Sequence, residues 1–114
     1  MSDSLIIEID NISITLSPTL DLIEKLEKKF GTLHEILQAM RQGHFPAKDH
    51  TALMIDVYKA HGQKVSKQNI ENLIAEKGLI ALSHINVKII AVCLAGLSAL
   101  ESFFEEVPPS LGKP

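Results

Sequence analysis

The sequence predicts a mainly α-helical domain with a short N-terminal β-hairpin, an α+β arrangement of about five helices around one core. Three observations predict it. Residues 5–16 alternate apolar and polar on either side of a polar pair, four glycines punctuate stretches of helical periodicity, and 46% of the 114 residues are apolar. A chain of this length buries roughly two thirds of the surface its unfolded form exposes, enough for one core without metals or crosslinks.

The hairpin comes first. Leu5, Ile7 and Ile9 alternate with Ile6, Glu8 and Asp10, and beyond Asp10-Asn11 the pattern resumes with Ile12, Ile14 and Leu16. A two-residue turn at Asp10-Asn11 sets Ile9 opposite Ile12, Ile7 opposite Ile14 and Leu5 opposite Leu16, all six on one face. An isolated two-stranded hairpin is marginal in water. This one must therefore pack on helices or extend its sheet with another chain, and both edges are open to docking.

Ser17-Pro18 supplies an N-cap and a first-turn proline to a helix over 18–30, with Leu22, Ile23, Leu26 and Phe30 at helical spacing and Gly31 as the stop. Thr32 and Glu35 have the form of a capping box, opening a helix over 32–42 that turns Leu33, Ile36, Leu37 and Met40 inward. Phe45-Pro46 opens a third helix over 46–61, with Leu53, Met54, Val57 and Tyr58 as its stripe before Gly62. Ser66 caps a fourth over 66–77, with Ile70, Leu73 and Ile74 inside and Gly78 closing it. The fifth is expected over 79–105, so that residues 1–107 form one domain and 108–114, led by Pro108-Pro109, a short Pro-rich tail.

Between Ile89 and Leu100 the fifth helix carries no charge. The run of about twelve residues falls short of the roughly 20 that a bilayer needs, and no membrane span is expected. Leu82, Ile85, Ile89, Val92 and Gly96 share one face, while Val87, Ile90, Leu94 and Leu97 make a second. A helix apolar on two faces is either central to the fold or reserved for a partner.

Little in the chain points to chemistry. The lone Cys93 excludes a disulfide framework and a four-thiolate zinc site, fits a reducing cytoplasm, and in so apolar a stretch is an inert thiol. The five histidines show no ligand-like spacing: His50 and His61 lie near one stripe but roughly 16 Å apart along a helix, which suits ordinary surface or boundary residues. Gly96-Leu97-Ser98 lacks the second glycine of a nucleophile elbow, there is no glycine-rich phosphate cradle, and adjacent Glu105 and Glu106 would diverge by about 100° on a helix. No catalytic residue, metal or cofactor is expected, and the chain is read as a non-enzyme. Met1-Ser2-Asp3-Ser4 has no basic run of the kind that opens a signal or transit peptide.

The formal charge is −3, with 4% aromatic residues and no tryptophan. That composition disfavours stacking platforms for single-stranded nucleic acid. Residues 41–67 stand apart, with five basic residues against two acidic for a net of +3, while the rest has six against twelve for −6. The third and fourth helices could form a helix-turn-helix, but the second of them would present Lys67, Gln68, Glu71 and Asn72, a mixed face for a major groove. Nucleic acid is not an expected partner, and a small DNA-binding regulator remains a further alternative.

The order of elements carries a resemblance. An Ile-rich hairpin, Ser17-Pro18-Thr19-Leu20 leading into Ile23-Glu24, Gly31-Thr32-Leu33, Phe45-Pro46-Ala47-Lys48-Asp49 and Val65-Ser66 before Asn69-Ile70 resemble the small tail assembly chaperones of gene transfer agents and related tailed phages, over about residues 5–100. The resemblance implies a non-enzymatic protein that binds the long tape measure protein and keeps it soluble until the tail tube polymerises around it. Members of that group are also described as tail tube components, which implies the alternative of a self-assembling structural subunit or homo-oligomer. On the chaperone reading, Val87, Ile90, Leu94 and Leu97, with the open hairpin edge, are the expected partner-binding residues. Replacing Leu94 and Leu97 with glutamate is then expected to abolish partner binding without unfolding the domain.

Overall fold

The computed structural model describes residues 4–98, and within them the order is hairpin followed by five helices. Strands β1 (Ile6–Ile9) and β2 (Ile12–Thr15) pair antiparallel with Ile9 opposite Ile12 and Ile7 opposite Ile14. Leu16 N–H closes the register by donating to Leu5 C=O at 2.9 Å. Asp10 and Asn11 take φ of 52° and 71°, both left-handed, as a type I′ turn demands and as these two residues tolerate better than most. Five of the six apolar residues on the inner face are buried and Ile12 is half-buried.

Helix α1 (Leu20–Phe30) starts two residues later than the sequence suggests. Thr19, not Ser17, is its cap, the hydroxyl accepting from Leu22 N–H at 3.2 Å. Ser17 N–H donates instead to His61 Nε2 at 2.8 Å, while His61 Nδ1 lies 2.7 Å from Val57 C=O. A carbonyl can only accept, so Nδ1 carries the proton and His61 is a neutral tether between the end of the hairpin and the third helix. Helix α2 (Leu33–Arg41) has the anticipated capping box, with Thr32 and Glu35 bonded reciprocally at 3.0 and 3.1 Å.

Helix α3 (Ala47–Ala60) follows Pro46 without a side-chain cap, and α4 (Lys67–Lys77) opens on a capping box between Ser66 and Asn69. Asn69 then does a second job. Its Nδ2 and that of Asn72 donate to Asp10 Oδ2 at 2.8 and 3.0 Å, fastening the hairpin turn to α4 and holding the Asp10 carboxyl below its ordinary pKa. From the other side Tyr58, fully buried on α3, directs its hydroxyl at Ile12 C=O at 2.7 Å, with Ile7 C=O at 3.3 Å.

Helix α5 (Leu79–Ala95) is the central element, packed against α2, α3 and α4. Its first apolar face is largely buried in the core and its second is partly so, with Ile90 fully enclosed and Val87 and Leu94 half-buried. The helix is also shorter than the expected 79–105. Gly96, placed by periodicity inside the helix, closes it with φ 87°, its N–H donating to Val92 C=O at 2.8 Å. A left-handed residue after the last helical one is the commonest helix ending, and glycine adopts it without a Cβ penalty. The expected helix beyond 98, the domain limit at 107 and the 108–114 tail lie outside the described residues.

No single helix among the described residues is long and apolar enough to cross a membrane.

Candidate functional site

The four residues expected to bind a partner divide in the structure. Ile90 has no exposed surface and belongs to the core, so it is no part of a docking face. Val87, Leu94 and Leu97 are half-buried and pack against that core. The correction has a plain physical cause: three helices flank α5, and a residue enclosed among them has no solvent-facing side to offer.

An apolar groove lies instead between α3 and α4. Ala47, Thr51 and Ala52 are small side chains on α3 facing Ile70 and Ile74 of α4, and between them runs a groove of about 450 Å³. Ile55 on its floor continues into a second depression of about 400 Å³ bordered by Lys59, Lys64 and Val65. The groove exists because residues at the α3 positions facing α4 are too short to fill the space, while the loop over 61–66 holds the two helices apart. Ile55 and Ile74 are only partly buried, so some apolar surface is left facing water.

Its borders are basic. Lys48 and Lys67 line the first depression, with Glu71 as the acidic residue among them, and Lys59 and Lys64 line the second. Four of the five cations in the basic stretch over 41–67 thus gather around one groove. The sequence shows that charge as a run; the spacing of Lys48, Thr51, Ala52, Ile55 and Lys59 along one side of α3 is the signal that places it beside an apolar floor. Among the described residues the side-chain ion pair is Lys29–Asp56, at 3.0 Å, joining α1 to α3 away from this groove.

Histidine 50 departs from the surface position expected of it. It is buried on α3, its ring edge-on to Phe45 with centroids 4.8 Å apart. Asn86 of α5 donates through Nδ2 to His50 Nδ1 at 2.9 Å and to His50 C=O at 3.1 Å. The carbonyl fixes the amide orientation, so Nδ1 accepts and the ring is neutral with its proton on Nε2. Asn86 Oδ1 has no hydrogen-bond partner among the described residues.

Burial lowers the His50 pKa below its ordinary value, against a smaller opposing pull from Asp49. For a base with a depressed folded pKa, the unfolded chain takes up the proton first. Stability is therefore intact above about pH 6.5, the unfolded value, and is lost as pH falls from there through the folded pKa. Urea unfolding at pH 7.5 and 5.5 is expected to show a lower midpoint at the acid end, and His50→Leu is expected to reduce that difference.

No group of three metal-ligating side chains comes together among the described residues. Burial pushes the Cys93 thiol up to about 11, leaving it protonated and unreactive at neutral pH. The cleft beside the hairpin turn gathers Glu8, Asp10 and Glu76, but Asp10 is already engaged by Asn69 and Asn72. In comparisons with protein-family models, curated proteins and solved structures, none matches the chain.

Proposed function

We propose that the chain is an assembly chaperone or adaptor that binds a helical protein client, the tape measure protein of a phage or gene-transfer-agent tail. One observation carries the reading: an apolar groove between two helices, shaped to take the apolar face of a third. A tape measure is expected to be a long helix with exposed apolar stripes, and such a groove covers them reversibly. The resemblance in element order supplies the client's identity.

Co-expression with a tape measure protein from the same genome tests the proposal. The client is expected to be soluble and to co-purify with the chain, and Ile55→Glu is expected to weaken the complex by about tenfold or more, some 1.4 kcal/mol. A client that stays insoluble, or that binds Ile55→Glu unchanged, overturns it.

A structural tail subunit is the second reading, and the hairpin favours it. Outward-facing backbone groups at Ser13 and Thr15 on the edge of β2 have no backbone partner among the described residues, so another strand could add there. Growth of scattering mass with concentration, without any client, would support that reading. For a DNA reader, α4 is poorly placed, because Asn69 and Asn72 are committed to Asp10.

A further inference from the structure

We infer that the α3–α4 groove selects its client by charge as well as by apolarity: its occupant is an amphipathic helix whose apolar stripe is flanked by carboxylates. The inference rests on the client reading and adds to it the chemistry of the client's binding segment.

The argument starts from the rim. Lys48 and Lys59 stand on α3 at the two ends of the groove, eleven residues apart in sequence, or about 16 Å along the helix axis. Lys67 joins Lys48 at the first depression and Lys64 joins Lys59 at the second. Four ammonium groups thus border the groove around Ile55 and Ile74, and Glu71 offsets only part of that charge. None of these four lysines has an ion pair among the described residues.

The chain has a net charge of −3, yet four of its lysines line this groove. Here they bracket an apolar floor about three helical turns long. A helix of three turns laid in the groove meets Ile55 and Ile74 with its apolar stripe, and carboxylates flanking that stripe come against the rim ammoniums. Such rim pairs add modest energy each. They favour acidic segments and reject basic ones, because a like charge at the rim is repelled. Duplex DNA is also polyanionic, but it has no apolar stripe to cover the floor.

The probes are two synthetic helical peptides of about 18 residues with the same leucine stripe, one flanked by glutamates and one by lysines, titrated against the full chain by fluorescence anisotropy. The glutamate peptide is expected to bind at least about tenfold more tightly at low salt, with the advantage shrinking at 0.5 M salt. The surface variant Lys48→Glu/Lys59→Glu, checked by circular dichroism, is expected to reverse the preference toward the lysine peptide. Ile55→Ser is expected to weaken both.

Equal binding of the two peptides, binding of neither, an unchanged preference in the charge-reversed variant, or tighter binding of a 20-base-pair duplex than of the glutamate peptide would each overturn the inference. Should any of these occur while the tape measure still co-purifies, charge selection by the groove fails and the chaperone reading stands. If co-purification fails as well, that reading falls with it.

Discussion

Replacing Ile90 with alanine is expected to cost about 2–5 kcal/mol of unfolding free energy, a large part of the 5–15 kcal/mol typical of a domain. Ile90 has no exposed surface, and it sits on the one helix that touches α2, α3 and α4. Removing its outer carbons leaves a cavity that three helices would have to close on together. Rigid elements relax only in part, which is why such cavities stay costly. Leu97→Ala, at a half-buried position beyond the end of α5, is expected to cost less than half as much. Urea unfolding followed by circular dichroism checks both. A stable Ile90→Ala that had lost its client would return Ile90 to the binding face and contradict the packing.

Tyr58→Ala is expected to be of similar severity, about 3–5 kcal/mol by analogy with other aromatic truncations. Tyr58 is fully buried and its hydroxyl reaches two carbonyls of the hairpin. Tyr58→Phe separates the two contributions. It keeps the ring and removes the donor, at about 1–3 kcal/mol for polar groups left unpaired. Amide exchange in β1 and β2 is expected to quicken more than in α1 or α2, because the loss falls on hairpin docking. Exchange that quickened evenly over the chain would mean the hydroxyl supports the whole core.

The same residue governs the alkaline limit. Burial pushes the Tyr58 hydroxyl up to about 12, so in the unfolded chain it ionises first, near pH 10. Its contribution is complete below pH 10 and is lost as pH rises from there toward 12.

Local rules made the hairpin and the helix caps legible. Register follows from alternation about Asp10-Asn11, and the Thr32 and Ser66 caps follow from hydroxyls placed three residues before a side chain that can answer them. Two boundaries were misjudged where neighbouring residues competed for one role. Thr19 caps α1 through its hydroxyl, while Ser17 lies before the helix with its N–H donating to His61, 44 residues away. Gly96 ended α5 although its neighbours kept an apolar period, since periodicity registers which residues want burial and not where the backbone turns.

The site was less legible than the fold for a related reason. Apolarity on two faces of α5 is compatible with a central helix or with a partner surface, and the fold packs the helix against α2, α3 and α4. The groove between α3 and α4 depends on small residues, Ala47, Thr51 and Ala52, standing opposite Ile70 and Ile74. Those two sets meet only once the loop over 61–66 has turned the chain back. Nothing within either helix alone announces the gap.

The bonds from Asp10 to Asn69 and Asn72 join positions 59 and 62 residues apart. At a ribosome's pace of about 5–20 residues per second, roughly 3–12 s separate translation of the turn from translation of its anchors. Tyr58 is made before those anchors, so the hairpin can dock on α3 while its turn is still unfastened. Fastening of the turn to α4 is therefore a late event of biosynthesis, later than the docking that Tyr58 supplies.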